Sequence, residues 1–324
     1  MSSISLTGLL NVAVTNNISN LRSQVEDRAE ETTTGIQADL VAHLRGRVDQ
    51  ALVGEQAIRD NADEQTRLGL REVRLALVDS TLTSVRDLTE GLQISMRSAI
   101  GAGEQEAQDL VATEAATALD DVLSRLGARN GERFLFSGDA TATQPFGDSS
   151  ALLDDIRAIA AASVDATDFA AQVDFYFDDP AGGFQTNFYQ GAQSASDADG
   201  VLANQAGFRD VLQGLAILSL GHSGSGVPFA QSDAPAMTEA LDRLTRGRTS
   251  LVDIQAGVGM RRTSIADEQS LLQREQTLLT QAFTDLAGKD QYEAATQLRE
   301  LEANLEASYV LTSRLSNLSI LNFL

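Results

Sequence analysis

All four prolines of this 324-residue chain, Pro145, Pro180, Pro228 and Pro235, fall in one central stretch. Residues 1–144 and 236–324 contain none. Proline inside a helix removes a hydrogen bond and clashes with the preceding turn, at a cost of about 3 kcal/mol. Both flanks are therefore free to form long helices. The aromatic residues partition the same way, with none before Phe134 and most between Phe134 and Phe229. The chain reads as helical arm, mixed middle, helical arm.

Hydrophobic spacing supports this division. Leu6, Leu10, Val14, Ile18, Leu21 and Val25 recur at steps of four and three, which is one helical stripe. Thr32, Thr33, Thr34 and Gly35 predict a break. Periodicity resumes at Val41, Leu44, Val48 and Leu52. It strengthens through Leu70, Val73, Leu77, Thr81, Val85, Leu88 and Leu92. A turn at Gly101–Gly103 and a further helix from Leu110 to Leu126 complete the first arm. The last arm runs from Leu241 to Leu286, breaks at Gly288-Lys289-Asp290, and ends in the cleanest heptad of the chain: Leu298, Leu301, Leu305, Ser308, Thr312 and Leu315. Val310, Leu311, Leu318, Ile320, Leu321, Phe323 and Leu324 lie off that seam and predict a second apolar surface of the kind that marks an interface.

The middle reads differently. Val173, Phe175 and Phe177 alternate at period two, which predicts a strand. Pro180-Ala181-Gly182-Gly183 predicts a turn, and Phe184 to Tyr189 a returning strand. Ser194–Gly200 reads as a polar loop with solvated acids, 204–220 as helix, and Gly221–Gly226 as linker.

A formal charge of −22 repels phosphate backbones and anionic membranes, so neither nucleic acid nor membrane is an expected partner. The absence of cysteine excludes disulfides, thiolate metal sites and a cysteine nucleophile. The first residues have no basic stretch followed by an apolar run, so no cleavable secretory signal is expected.

Motifs for chemistry fail on inspection. His43 and His222 are the only histidines, and neither has a ligand pattern. Gly221-His222-Ser223-Gly224-Ser225 ends in Ser where a nucleophile elbow needs Gly. Asp197-Ala198-Asp199-Gly200 lacks the first and twelfth carboxylates of a calcium loop. Gly257-Val258-Gly259 lacks the third glycine of a dinucleotide fingerprint. The pairs Asp154-Asp155 and Asp178-Asp179 suit helix caps and turns. No enzyme, cofactor or metal is expected.

Several segments resemble a known superfamily. The run Ala307-Ser308-Tyr309, Ser313-Arg314-Leu315, Leu318-Ser319-Ile320 and Phe323-Leu324 is similar to the C-terminal helix of the flagellin superfamily. Asn16-Asn17-Ile18-Ser19-Asn20-Leu21 and Thr33-Thr34-Gly35 resemble its N-terminal region. Gly131-Glu132-Arg133-Phe134-Leu135-Phe136-Ser137-Gly138, with Thr141, Thr143, Pro145 and Phe146, resembles the hook-associated protein 3 branch, as does Phe188-Tyr189-Gln190-Gly191. One departure is Asp39-Leu40-Val41, where the superfamily usually has Asp-Asp-Pro. The resemblance implies a subunit of the hook–filament junction, outside the cell and exported through the flagellar channel. It implies as partners further copies of itself, hook-associated protein 1, flagellin and an export chaperone that holds the C-terminal helix.

The expected fold is mainly α with an inserted α+β domain, the two arms forming a long antiparallel helical bundle or coiled coil. Residues 1–40 and 286–324 are expected to be coiled-coil arms, disordered in the monomer. Residues 41–143 and 236–285 form the bundle, and 144–235 an outward, partly β domain. The expected assembly interface comprises Leu6, Leu10, Val14, Ile18, Leu21, Leu298, Leu301, Leu305, Tyr309, Leu315, Leu318, Phe323 and Leu324. The alternatives are a divergent filament flagellin and, more remotely, an extracellular enzyme or ligand-binding module in 144–235.

Overall fold

A computed structural model describes residues 6–231 and 234–321, with side chains from 15 to 231 and from 234 to 314. The fold is mainly helical. In order come α1 (Leu6–Thr34), α2 (Leu40–Leu44), α3 (Val48–Ala102), α4 (Gln105–Leu126), the hairpin β1 (Arg129–Asn130) and β2 (Arg133–Phe134), α5 (Ser149–Ala162), α6 (Ala166–Asp178), a π-turn at Phe184–Phe188, α7 (Ala206–Ser219), a 3-10 turn at Pro228–Ala230, α8 (Pro235–Ala287) and α9 (Gln291–Leu321). The described residues divide into two compact units. One takes the chain up to Thr66 and from Gln269 onward; the other is Arg67–Glu268.

The Arg67–Glu268 unit holds the larger core. Its stretch of α3 buries Leu68, Leu75, Leu82, Thr89 and Met96, one every seven residues, together with Val78, Val85, Leu92 and Ala99. Of the stripe expected from Leu70 to Leu92, Val85 and Leu92 are buried as expected, whereas Leu70, Val73 and Leu77 are exposed. The helix carries apolar residues on two faces, and the seam that is buried includes polar Thr89, whose hydroxyl donates to Val85 O at 3.0 Å within its own helix. Opposite lies α8, antiparallel. Gln93 donates to Leu241 O at 2.9 Å, and Gln255 to Asp79 and Thr83 at 2.7 and 2.9 Å. Arg262 donates to both Glu72 and Asp79, at 2.9 and 3.0 Å.

Helix α7 is the most enclosed element, with Val211, Leu212, Leu215, Ala216, Ile217 and Leu218 all inside. It packs on α4 and approaches α8 at glycines. A Cβ on Gly247 would sit 2.7 Å from Val211 Cγ2, and one on Gly214 2.7 Å from Leu244 Cγ.

The strands expected at 173–177 and 184–189 are not strands. Residues 166–178 form α6, capped by Asp165, whose Oδ1 accepts from Thr167 N and Asp168 N at 2.9 and 2.8 Å. Phe169, Val173, Tyr176 and Phe177 turn inward at helical spacing, while Phe175 is exposed. The period-two run was therefore a short slice of a 3.6-period face, and the capping residue upstream was the decisive signal. The return segment is a π-turn in which Phe184 and Phe188 stack against Phe146 at 5.8 and 5.5 Å between centroids. Among the described residues the β structure is the 129–134 hairpin plus isolated bridges.

Candidate assembly interface on the terminal helices

In the first unit, α1 and α9 pair along their lengths. On α1, Ile18, Leu21, Val25, Arg28 and Thr32 are half-buried at alternating steps of three and four, with Ala29 beside them. On α9, Ala294 is buried, and Leu298, Leu301, Leu305, Ser308 and Thr312 are half-buried at the same alternation. Both helices thus present a heptad seam.

Register is set at one end. Glycine 35, with φ +70°, lets the chain leave α1 in the left-handed region that other residues resist. The following residues meet the turn between α8 and α9. Ile36 and Gly288 form an antiparallel bridge, Gln37 N donates to Ala287 O, and Lys289 N donates to Gly35 O, both at 2.9 Å. The two breaks expected from sequence, separated by some 250 residues, bond to each other. Because the end of α1 is fastened to the start of α9, the two helices run antiparallel. Glu31 sits beneath the junction, 2% exposed, paired with Arg28 and accepting from Ala38 N at 3.1 Å. Asp290 caps α9, accepting from Tyr292 N at 2.8 Å. In the same unit Asn61 donates to Leu272 O at 3.1 Å, and Gln65 to Gln276 at 2.7 Å.

This unit encloses little. Its fully buried apolar side chains, among the described residues, are Leu44, Ala51, Ala287 and Ala294. Two helices facing each other leave the flanks of a heptad seam open, so Leu298, Leu301 and Leu305 remain half-exposed. On the outer faces Val53, Leu278, Tyr292, Tyr309, Val310 and Leu311 are exposed. Apolar surface of this extent on thinly buried helices calls for further partners.

The expected interface residues fall as follows. Ile18, Leu21, Leu298, Leu301 and Leu305 lie on the α1–α9 seam, while Tyr309 is on the outer face. Leu6, Leu10 and Val14 belong to α1, and Leu315 and Leu318 to α9, with their side chains outside the described residues. Phe323 and Leu324 lie wholly outside them.

No group of three potential metal-ligating side chains is present among the described residues. A groove of about 540 Å³ is lined by uncharged Gln and Thr side chains of α8 from Gln273 to Thr284. His43 is exposed on α2. The acids of 197–199 are not simply solvated. Asp199 is buried and takes both a 2.7 Å and a 3.3 Å bond from Arg71, and Asp197 pairs with Arg74, so the loop is clamped to α3. Asp155 accepts from the Tyr176 hydroxyl at 2.7 Å; burial and that bond hold the phenol far above its usual range. Burial pushes Tyr189 up to about 12. Both tyrosines are structural.

Sequence reading missed the ion cluster around Arg243. This buried guanidinium takes Asp174, Asp178, Asp210 and Glu239 at 2.7–3.0 Å. Its partners are spread from 174 to 239, so no spacing in the sequence announces it. The two segments that resemble the hook-associated branch, around 134–146 and 188–191, are likewise one packed cluster. Phe146 bridges to Tyr189, Gln190 N donates to Pro145 O at 2.8 Å, and Ala192 N donates to Ser137 O at 2.9 Å.

No curated protein sequence matches the chain. The solved structure of a Vibrio parahaemolyticus protein, assigned as a flagellar hook-associated protein, is 16% identical over 75% of this chain and 95% of that one, with a TM-score of 0.36. Residues 237–324, which comprise nearly all of α8 together with α9, match the family model described as the bacterial flagellin C-terminal helical region.

Proposed function

We propose that this protein is a structural subunit of the bacterial flagellum that polymerises through its terminal helices. The carrying observation is that the flagellin C-terminal match on 237–324 takes in α9, which belongs to a unit whose helices expose apolar faces and bury few side chains of their own. Extensive burial between copies supplies what that unit lacks. Ordering each residue costs about 1–2 kcal/mol of backbone entropy, so arms that order on assembly keep the free subunit from polymerising early.

The finer reading is a subunit of the hook–filament junction, seated between hook-associated protein 1 and flagellin, exported through the flagellar channel and met by a chaperone at its C-terminal helix. The segments 131–146 and 188–191 support it by resemblance. The second reading is a filament flagellin, favoured by the family that the C-terminal match names. Labelled protein on isolated appendages separates the two: a short band between hook and filament supports the junction, label along the filament supports a flagellin. Deletion of residues 298–324 tests the shared part. The truncated chain is expected not to join the appendage, and its incorporation would overturn the proposal.

A further inference from the structure

The Arg67–Glu268 unit carries two charged features that its internal ion pairs do not use. The first is the 129–134 hairpin. Arg129 and Arg133, on its two strands, are exposed, and neither is in an ion pair or side-chain hydrogen bond among the described residues. Elsewhere in this acidic unit most arginines are paired: Arg71, Arg74, Arg157, Arg209, Arg243, Arg246, Arg248 and Arg262 hold carboxylates, while Arg97 bonds Thr245, and Arg125 and Arg261 hold none among the described residues. The hairpin is held stiffly. Phe134 N donates to Thr141 O at 2.8 Å, Leu135 N to Ala128 O at 3.0 Å, and the Arg129 guanidinium lies 4.3 Å from the centre of the Phe134 ring.

The second feature is a groove of about 330 Å³ between α3 and α4. Its floor is apolar and small, with Leu88, Gly91, Leu92 and Ala118. Its rim carries Glu114 and Asp121, seven residues apart on one face of α4, both exposed and neither paired. Exposed Ile94 continues α3 beside it.

We infer that the arginine hairpin of one copy docks in the α3–α4 groove of the next. The occupant follows from charge. Within a chain of formal charge −22, an unpaired basic tip finds its complement on another copy's acidic rim. The two surfaces differ, so the contact is head-to-tail and propagates from copy to copy. It deepens the proposed assembly, and rests on it, by giving the Arg67–Glu268 unit its own contact beside that of the terminal helices.

Paired charge reversal in the full-length chain tests this, with association followed by sedimentation velocity. Arg129→Glu/Arg133→Glu puts acid on both surfaces; Glu114→Arg/Asp121→Arg puts base on both. Each variant alone is expected to associate at least about tenfold more weakly than the parent, because like charges then oppose each other. Mixed one to one, they are complementary in both directions and are expected to regain parental association. All substituted sites are exposed, and unchanged circular dichroism verifies folding. Variants that associate like the parent, or a mixture that shows no recovery, overturn the hairpin contact and leave polymerisation through the terminal helices standing. A parent chain that does not self-associate at any concentration overturns both.

Discussion

Arg243 shows how much one side chain can organise. Its guanidinium reaches α6 through Asp174 and Asp178, α7 through Asp210, and its own helix through Glu239. Burial opposes its charge, but the surrounding carboxylates outweigh burial and raise its pKa. Asp210 responds the other way: burial raises it, and Arg243 only partly offsets this. Removing the cation takes the direct partner from buried Asp210, while Asp178 keeps Arg209 and Glu239 keeps Arg246. Asp174 and Asp178 are more than a third exposed, which tempers the loss. Arg243→Met is expected to cost about 2–4 kcal/mol by urea unfolding. A cost within experimental error would show that water, not Arg243, neutralises the cluster. At this scale the sequence was least legible. Asp178 looked like a turn residue because its partner lies 65 positions away, and Asp199 looked solvated because Arg71 lies 128 away.

At the scale of elements, the long helices were legible because their apolar periodicity is local and proline is absent. The α9 seam was read correctly from Leu298 to Thr312, since only one face of that helix repeats every seven residues. In α3 two faces repeat, and local pattern cannot choose between them. The choice was made by α8, whose Gln255 and Arg262 hold Asp79 and place Leu75, Val78 and Leu82 inward. In α6 a run of three alternating residues resembled a strand, although the Asp165 cap and helical spacing from Phe169 to Phe177 were both in the sequence. The α1–α9 pairing makes a direct prediction. Half-buried leucines contribute about 1 kcal/mol each, roughly half of a fully buried one. Leu301→Asp with Leu305→Asp is therefore expected to open α1 and α9 of the assembled protein to protease while leaving Arg67–Glu268 resistant. Equal resistance of both regions would show that the seam does not hold the pair.

For the whole molecule, charge sets the response to acid. Asp197 and Glu239 both have lowered pKa values. Burial pushes each up, but the Asp199 amide and Arg74 outweigh it for Asp197, and Arg246 and Arg243 for Glu239. Such groups stabilise the fold fully above their unfolded pKa values, near 4, and the contribution is lost as pH falls below that. Asp210, raised by burial, acts in the opposite sense in the same window. Hydrogen bonds also lower Asp109, Asp139 and Asp168, so the lowered carboxylates outnumber the one raised, and the urea midpoint is expected to hold from pH 8 to about 5 and fall below about 4, with a shallower fall in Glu239→Gln. A midpoint that rises on acidification would show that Asp210 and general charge repulsion dominate.

The proline-free arms with which the sequence opens were sufficient, alone, to establish long helices, the breaks at Gly35 and Gly288, and the heptad of α9. Each depends on dihedral preference or spacing within a few residues. What tertiary structure decided was long-range. It chose the buried face of α3, turned 173–177 into helix, gathered four carboxylates around Arg243, and bonded Gly35 to Lys289. Those outcomes depend on which distant segments meet, and on the cost of leaving a buried charge or backbone group unpaired.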